Sequence, residues 1–146
     1  MGTGKTNAKW IRVSVDDMTP TLQAISASVS SAGNIGLTHE EDDVTAYSDG
    51  VHNVTLGHPE APIILTGPFD NTATTGAYTV LAAIVGDLSI THTVTTEIGI
   101  RAAPTTGDPV FSGEYYCHSL KINGDDGTWT SEFVPASATA PAWSTI

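Results

Sequence analysis

The chain has 146 residues and a mass of 15.2 kDa, a size typical of one domain with its own hydrophobic core. Five Lys and Arg residues stand against sixteen Asp and Glu residues, giving a formal charge of -11 and a pI near 4.4. Such a charge argues against a conventional DNA- or RNA-binding module, because these modules need cations to pair with phosphates. The 40% of hydrophobic residues argues against intrinsic disorder. No stretch approaches the roughly 20 apolar residues of a membrane span, so no membrane contact is expected.

The first predicted elements are β-strands. Residues 10–15 alternate between larger apolar and polar side chains until Asp16 and Asp17, and Pro20 then breaks the pattern. This alternation predicts a strand that ends near Val15. Residues 22–29 alternate less clearly and predict a second, short strand.

The stretch from Gly33 to Pro62 is rich in glycine, proline, acidic residues and histidine. It is too long for an ordinary connection in a compact domain. Two interpretations stay open: a functional arm that orders against a partner, or a short edge hairpin around Tyr47 and Val54. The first is favoured, and the fold is predicted to contain a long extended loop at about residues 33–62.

Residues 63–69 form a short apolar run that predicts a buried strand ending at a turn. The only good helical pattern covers residues 76–85, where apolar side chains recur at the spacing of one helix face. Thr75 is predicted to cap the start of this helix and Gly86 its end.

The C-terminal half contains the clearest β pattern. Residues 88–95 alternate strictly, and residues 114–122 and 128–134, joined by Asn123-Gly124-Asp125-Asp126-Gly127, predict a hairpin. The fold class is therefore mainly β: an antiparallel β-sandwich or barrel with one flanking α-helix at about residues 76–85. Residues 1–146 are predicted to be a single domain, with 1–9 and 136–146 as flexible or assembly-dependent arms.

No residue pattern predicts catalysis, a cofactor or a metal. The acidic run after His39 lacks the alternating oxygens and glycine turn of a calcium loop, and the five histidines show no pair at ligand spacing. His92 is predicted to be a hydrogen-bonded core residue. Cys117 and His118 alternate to opposite faces of a strand and cannot form a dyad. The chain is therefore predicted not to be an enzyme.

Several short motifs, in their order and spacing, resemble one family. They are the run Asp43-Val44-Thr45-Ala46-Tyr47-Ser48-Asp49 with the later Gly57, the strand end Gly67-Pro68-Phe69-Asp70, the helix after it, and Gly113-Glu114-Tyr115 at the start of the late strands. Together they resemble the major tail tube proteins of long-tailed, siphovirus-like bacteriophages. The resemblance spans roughly residues 10–135.

The resemblance implies a β-sandwich subunit that assembles as six-fold rings, stacked into a hollow tube through which the genome is ejected. A long loop between early strands would reach the adjacent ring. This carries seven residues over as inter-ring or subunit contacts: Glu40, Glu41, Asp42, Asp43, Thr45, Tyr47 and Asp49. Lys9 and Arg12 are added as hypothetical partners of acidic loops on a neighbouring subunit.

The expected partners are other copies of the chain and further tail proteins, such as the terminator, tape measure and distal tail proteins. DNA would pass through the lumen without specific binding, since residues 13–146 carry only two Lys or Arg against sixteen acids. The chain would be assembled in the host bacterial cytoplasm and reside in the virion.

Three alternatives stay open. A tail terminator or head-tail joining protein, forming a single ring, is the closest. A capsid-decorating protein or a carbohydrate-binding β-sandwich is further away, because sugar recognition relies on exposed aromatic platforms and the chain has only three tryptophans. Trp129 is predicted to lie in the core or an interface.

Overall fold

A computed structural model describes residues 10–100 and 102–146. Within these ranges the chain forms one α-helix and ten β-strands. The elements are β1 (Trp10–Asp16), β2 (Leu22–Ala24), β3 (Ser31–Gly33), β4 (Thr38–Asp43), β5 (Val54–Glu60), β6 (Ile63–Pro68), α1 (Ala77–Ile84), β7 (His92–Gly99), β8 (Pro109–Ile122), β9 (Thr128–Pro135) and β10 (Ala142–Thr145). A single 3-10 turn covers Ser26–Ser28.

The main sheet has the order β2-β1-β7-β8-β9-β6-β3, and β10 pairs with β8 beside this path. Neighbouring strands are antiparallel throughout. The 14-residue β8 pairs with β7 through residues 110–115 and with β9 through residues 115–122. A bulge between Cys117 and Ser119 bends this strand. β8 therefore joins the two halves of an open, sandwich-like fold.

One hydrophobic core lies between these halves. Its largest side chains belong to Trp129, Tyr115, Phe111 and Phe133, all fully buried. The Tyr115 hydroxyl donates a hydrogen bond of 2.8 Å to the carbonyl of Ala61, and burial raises the pKa of this tyrosine to about 12. The helix closes the core with its buried face, which consists of Ala77, Val80, Leu81 and Ile84.

Most predicted elements are confirmed. β1, the buried strand β6, the helix and the hairpin of β8 and β9 lie where the sequence places them. The Thr75 cap is wrong: the N-cap is Gly76, and no side chain caps the helix. Only residues 22–24 of the predicted strand 22–29 form a strand, because a 3-10 turn begins at Ser26, whose hydroxyl bonds to the backbone of Val13.

Strand β7 lies further along the chain than its pattern predicts. It covers His92–Gly99 and not residues 88–95. Asp87 explains the shift, because its carboxylate accepts hydrogen bonds from the backbone and the hydroxyl of Ser89 and holds the chain in a turn. His92 is fully buried, as predicted, and its two ring nitrogens lie 3.2 Å from the carbonyl of Asp16 and 3.0 Å from the Asp87 carboxylate.

The stretch predicted as a long extended loop contains a hairpin of its own. β4 and β5 form a separate two-stranded sheet, so the hairpin alternative describes this stretch. Tyr47 lies in the connection between the strands and Val54 opens β5. We call residues 38–60 the acidic hairpin.

The C-terminal segment was expected to be flexible or assembly-dependent. Residues 142–145 instead pair with residues 109–112 of β8. The ring of Trp143 packs against that of Phe111 at a centroid distance of 4.9 Å. This aromatic contact holds β10 on the main sheet in the subunit, and the assignment of residues 136–146 as an assembly-dependent arm stays a prediction. The other proposed arm, residues 1–9, lies outside the described residues.

Gly67 shows why one of the family-like motifs contains a glycine. A Cβ atom at this position would lie 1.8 Å from the carbonyl oxygen of Ser28. Any side chain would therefore force apart β6 and the 3-10 turn, whose Ser28 hydroxyl donates a hydrogen bond to Asp70.

Thr96 gives a prediction on stability. Its side chain is fully buried, and its hydroxyl has no hydrogen-bond partner in the described part of the chain. Thr96→Val is expected to raise the free energy of unfolding by about 1 kcal/mol, because it removes an unpaired buried hydroxyl at almost constant volume. Urea denaturation measures the change. Thr95→Val is the matched control, since its hydroxyl lies 3.2 Å from that of Ser112; an equal or larger gain there would contradict the explanation.

A repeated Asp-x-Thr/Ser motif fixes the connections. In four copies the aspartate accepts hydrogen bonds from both the backbone N–H and the hydroxyl two residues later: Asp17 with Thr19, Asp70 with Thr72, Asp87 with Ser89, and Asp126 with Thr128. These bonds stabilise the ionised carboxylates and lower their pKa values, that of Asp17 to about 2.

This motif predicts how stability depends on pH. Because the folded pKa lies below the unfolded one, each aspartate stabilises the fold above its unfolded pKa, and the contribution is lost as the pH falls towards the folded pKa. The urea concentration at the midpoint of unfolding is therefore expected to decrease as the pH is lowered from about 4 to about 2. In Asp17→Asn the midpoint is expected to change less over this range; a change as steep as in the unaltered chain would contradict the assignment.

Candidate assembly surfaces

The acidic hairpin projects from the main sheet and contributes nothing to the core. Every residue of β4 is exposed, and four of them are consecutive acids, Glu40 to Asp43. The structure thus brings together the seven residues carried over from the resemblance: four lie in β4, and Thr45, Tyr47 and Asp49 lie in the connection after it. Residues 38–60 contain six acids and no lysine or arginine.

The two faces of the acidic hairpin differ. Glu41 pairs with Leu56 and Asp43 with Val54, so these four side chains share one face. We call it the mixed face, since it combines two acids with two exposed apolar side chains. Glu40, Asp42 and Thr55 lie on the opposite, polar face, where Gly57 leaves room for the Glu40 side chain.

The connection at the tip of the hairpin is held by its own hydrogen bonds. The Asp49 carboxylate accepts from the backbone of Ala46 at 2.8 Å and from the Asn53 amide at 3.0 Å. The Thr45 hydroxyl bonds to both the N–H and the carbonyl of Asn53. These bonds fix the tip while Tyr47 is fully exposed and Val51 is 70% exposed. An ordered tip that exposes large apolar side chains is suited to docking, because little entropy is lost on binding.

The proposed cationic contacts lie elsewhere. Arg12 is on β1, where its guanidinium donates hydrogen bonds of 2.9 Å and 2.7 Å to the Glu97 carboxylate of the same chain. This bond and the nearby charge raise the pKa of Arg12. Arg12 is thus already paired within its own chain, which argues against its predicted role with a neighbour's acidic loop. Lys9 lies outside the described residues.

The half of the main sheet that consists of β3, β6, β9 and the second part of β8 ends on two unpaired edges in the described residues. Among residues 10–100 and 102–146, β3 pairs only with β6, and β8 beyond Tyr115 pairs only with β9, apart from a bridge at Cys117 to the end of the helix. The strands β3, β6, β9 and β8 alternate in direction. A second copy that placed its β3 beside the free part of β8 would continue this alternation. Unpaired edges of this kind are templates for association.

The described residues contain no group of three or more His, Cys, Asp or Glu side chains placed to hold a metal ion. Cys117 is buried, and this burial raises the pKa of its thiol. Two open grooves flank the base of the acidic hairpin, with volumes of about 370 and 410 Å³. Prolines and other uncharged side chains dominate their walls, with Glu60 and Glu132 as the charged members. No helix in the described ranges is long and apolar enough to cross a membrane.

No protein-family model matches the sequence, and no curated protein matches it either. Solved structures do match, over nearly the whole chain. A chain of the virion of a native gene transfer agent is 19% identical with a TM-score of 0.65, and the match covers 97% of this chain and 99% of the other. A chain of an empty gene transfer agent tail, refined with helical C6 symmetry, is 18% identical with a TM-score of 0.64 and coverages of 97% and 99%.

A third structure has the same fold. It is the sheath/tube terminator of an extracellular contractile injection system, PVC, in the extended state; its matching chain is 13% identical, with a TM-score of 0.63 and coverages of 97% and 98%. This chain therefore shares its fold, over 97% of its length, with chains of tail and injection assemblies. At these identities the likeness establishes the fold.

Sequence reasoning missed two features of these surfaces. The difference between the two hairpin faces depends on the register of β4 on β5, which a bulge between His39 and Glu41 shifts. The open edge of β8 depends on where β7 begins, since His92, the first residue of β7, pairs with Tyr115. The sequence does show that Val54 and Leu56 alternate with Thr55. It does not show which residues of β4 share a face with them, because this depends on the register of the two strands.

Proposed function

We propose that the chain is a structural subunit of a phage-like tail, and that it forms six-fold rings which stack into a hollow tube. The observation that carries the proposal is the match of 97% of this chain to 98–99% of the length of chains from tail and injection assemblies. The C6 symmetry of the gene transfer agent tail supports the ring number. The motif resemblance to tail tube proteins of siphovirus-like phages supports the same class.

The unpaired edges supply a physical route to a ring. The contact between β3 of one copy and the free part of β8 of the next joins different surfaces, so it is heterologous and closes when the rotation per subunit fits a whole number of copies. Four alternating strands per copy keep the closed sheet antiparallel. Closure also removes the exposed edges, which otherwise invite uncontrolled aggregation.

In this assembly the acidic hairpin contacts the adjacent ring through the seven residues carried over from the resemblance. Terminator, tape measure and distal tail proteins would bind the ends and the interior of the tube. The wall would let DNA pass without specific binding, because in the described ranges the only Lys and Arg side chains are Arg12, already paired with Glu97, and Lys121. The virion is the expected location, after assembly in the host cytoplasm.

A single-ring terminator is the second candidate, favoured by the match to the sheath/tube terminator. It differs in one observable respect, since its rings do not stack indefinitely. A head-tail joining ring gives the same result.

Negative-stain electron microscopy at several protein and salt concentrations tests the proposal. Hollow tubes of variable length support a tube subunit, and isolated rings support the terminator alternative. Added salt is expected to favour assembly, because copies that each carry a charge of -11 repel one another. Particles without a ring or channel would contradict both candidates and favour a decorating or carbohydrate-binding module.

A further inference from the structure

The turn between β8 and β9 begins with the one Asn-Gly pair of the sequence, Asn123 and Gly124. Both residues are exposed. Two backbone hydrogen bonds of 2.8 Å close the turn: the N–H of Asn123 donates to the carbonyl of Thr128, and the N–H of Gly127 donates to the carbonyl of Asn123. The turn is therefore ordered, while its first two residues stay open to solvent.

The Asn123 side chain folds over the residue that follows it. Its Oδ1 accepts a hydrogen bond of 2.9 Å from the N–H of Asp125. The ring that this bond closes contains Gly124, so the side-chain amide is held beside the Gly124 peptide. The same N–H stabilises the negative charge that develops on Oδ1 when a nucleophile attacks the amide carbon Cγ.

The nucleophile available at this place is the backbone nitrogen of Gly124. Among the described residues its N–H meets no hydrogen-bond acceptor. Glycine has no side chain to hinder the approach. The space beside its α-carbon is also open, since a Cβ atom placed there would meet no heavy atom within 4 Å apart from its chain neighbours. An activated amide and an unhindered nitrogen thus adjoin each other.

Two aspartates also precede a glycine, and both lack this combination. Asp49 precedes Gly50, but the hydrogen bonds at the tip of the acidic hairpin lower the pKa of its carboxylate. Asp126 precedes Gly127, whose N–H already donates to Asn123, and hydrogen bonds to its carboxylate lower the pKa of Asp126 as well. Both carboxylates are therefore ionised at neutral pH, and an ionised carboxylate is a poor electrophile.

The other asparagines of the described ranges each precede a side chain that is branched at Cβ. The three pairs are Asn34-Ile35, Asn53-Val54 and Asn71-Thr72. Two heavy atoms on the Cβ of the second residue crowd its backbone nitrogen. Asn123 is therefore the one described asparagine whose following nitrogen is sterically open.

We propose that Asn123 is a self-modification site, at which the Gly124 nitrogen displaces the side-chain amide as ammonia and water then opens the ring to isoaspartate or aspartate. In the first step the bond from nitrogen to Cγ forms and the bond from Cγ to Nδ2 breaks. The proton of the Gly124 N–H leaves with the amide as ammonia. The product is a cyclic imide, and no change of oxidation state is involved.

Water then adds to one of the two carbonyl carbons of the imide, and the nitrogen regains a proton. Breaking the bond from nitrogen to Cγ gives aspartate at position 123. Breaking the bond from nitrogen to the main-chain carbonyl carbon gives isoaspartate, because the chain then continues through Cγ. The reaction needs no reagent other than water.

Either product changes the turn. Each adds one negative charge to the formal -11 of the chain and places a third carboxylate beside Asp125 and Asp126. Isoaspartate also lengthens the main chain and converts the carbonyl that accepts from Gly127 into a pendant carboxylate. Asn123 directly follows the free part of β8, so the modification alters one end of an unpaired strand edge. The modification itself does not depend on the proposed function.

Incubation of the full chain at mildly alkaline pH, followed by mass spectrometry of the chain and of its peptides, tests the proposal. The mass at Asn123 is expected to rise by about 1 Da as ammonia is replaced by water. The rate is expected to be at least about tenfold higher than at Asn34, Asn53 and Asn71. Electron-transfer fragmentation distinguishes isoaspartate from aspartate.

Gly124→Ala tests the nucleophile with a matched control. Alanine fits at this position, because the space is open and the φ angle of Gly124 lies outside the left-handed region. The added methyl group hinders the nitrogen and is expected to slow the reaction at Asn123 by about tenfold or more. Gly50 has equally open space, so Gly50→Ala makes the same substitution at another turn and is expected to leave the rate at Asn123 unchanged. Near-UV circular dichroism checks that both variants keep the fold.

Several results would overturn the proposal. They are an Asn123 that stays unmodified, a rate there no higher than at the other three asparagines, and equal rates in G124A and the unaltered chain. A product that contains only aspartate would also contradict it, because direct hydrolysis of the amide leaves the main chain in place. Isoaspartate at position 49 or 126 at a rate equal to that at 123 would contradict the selection of this site.

Discussion

Trp129→Ala is expected to lower the free energy of unfolding by about 4 kcal/mol, the largest effect of a single substitution in this chain. Trp129 is the largest of the fully buried side chains and lies on β9, where it pairs with Gly67 of β6 and Ile122 of β8. Its indole N–H also donates a hydrogen bond of 2.9 Å to the carbonyl of Pro68. Alanine removes both the packing and the donor, and it leaves a cavity in the hydrophobic core.

Two variants separate these contributions. Trp129→Phe keeps most of the packing and loses the donor, so a smaller loss of about 2 kcal/mol is expected. Trp143→Ala is the control for tryptophan loss at a surface, since Trp143 is 47% exposed and packs on Phe111 alone among the described aromatic rings. Urea denaturation of the three variants gives the ranking. A loss at Trp143 as large as that at Trp129 would contradict the placement of the core.

Removal of the acidic hairpin is expected to abolish stacking while the subunit stays folded. A short glycine-serine linker in place of residues 38–60 deletes no member of the hydrophobic core, which resumes at Ala61. The urea midpoint is therefore expected to change little, whereas tubes are expected to disappear. Tyr47→Ala is the milder variant. It is expected to weaken each contact between rings by about 2 kcal/mol, because it removes a side chain that the proposed stacking buries against the adjacent ring.

Circular dichroism and electron microscopy on the same samples distinguish assembly from folding. A variant without the hairpin that still forms tubes of normal length would contradict the assigned role of residues 38–60. A variant that unfolds would contradict the finding that the hairpin packs apart from the core.

Much of this fold follows from local sequence patterns. The β8–β9 hairpin is predictable because apolar alternation on both sides of Asn123-Gly124 agrees with the turn chemistry. The helix is predictable because its buried face repeats at helical spacing. β4 is not predictable, since Thr38–Asp43 has no apolar alternation and acids disfavour strands. Hydrogen bonds to β5 and within the connection at the tip hold β4 in place, and no property of its own sequence indicates these bonds.

The assembly surfaces, like the fold, were predictable from the sequence only in part. The acidic run was visible in the sequence as a candidate contact, and the structure gathers it on one projecting hairpin. The open edge of β8 gave no signal, because it depends on where β7 begins, at His92 opposite Tyr115. β10 was missed for a similar reason, since its Trp143 depends on a contact with the distant Phe111.

Native mass spectrometry of the purified chain, at increasing protein concentration, tests the central claim that copies close into six-membered rings. The account predicts particles of six times 15.2 kDa and multiples of that mass, with few species between one and six copies because closure pairs the last free edges. Monomers and dimers alone at every concentration, or a continuous ladder with no excess of six, would contradict ring closure through β3 and β8.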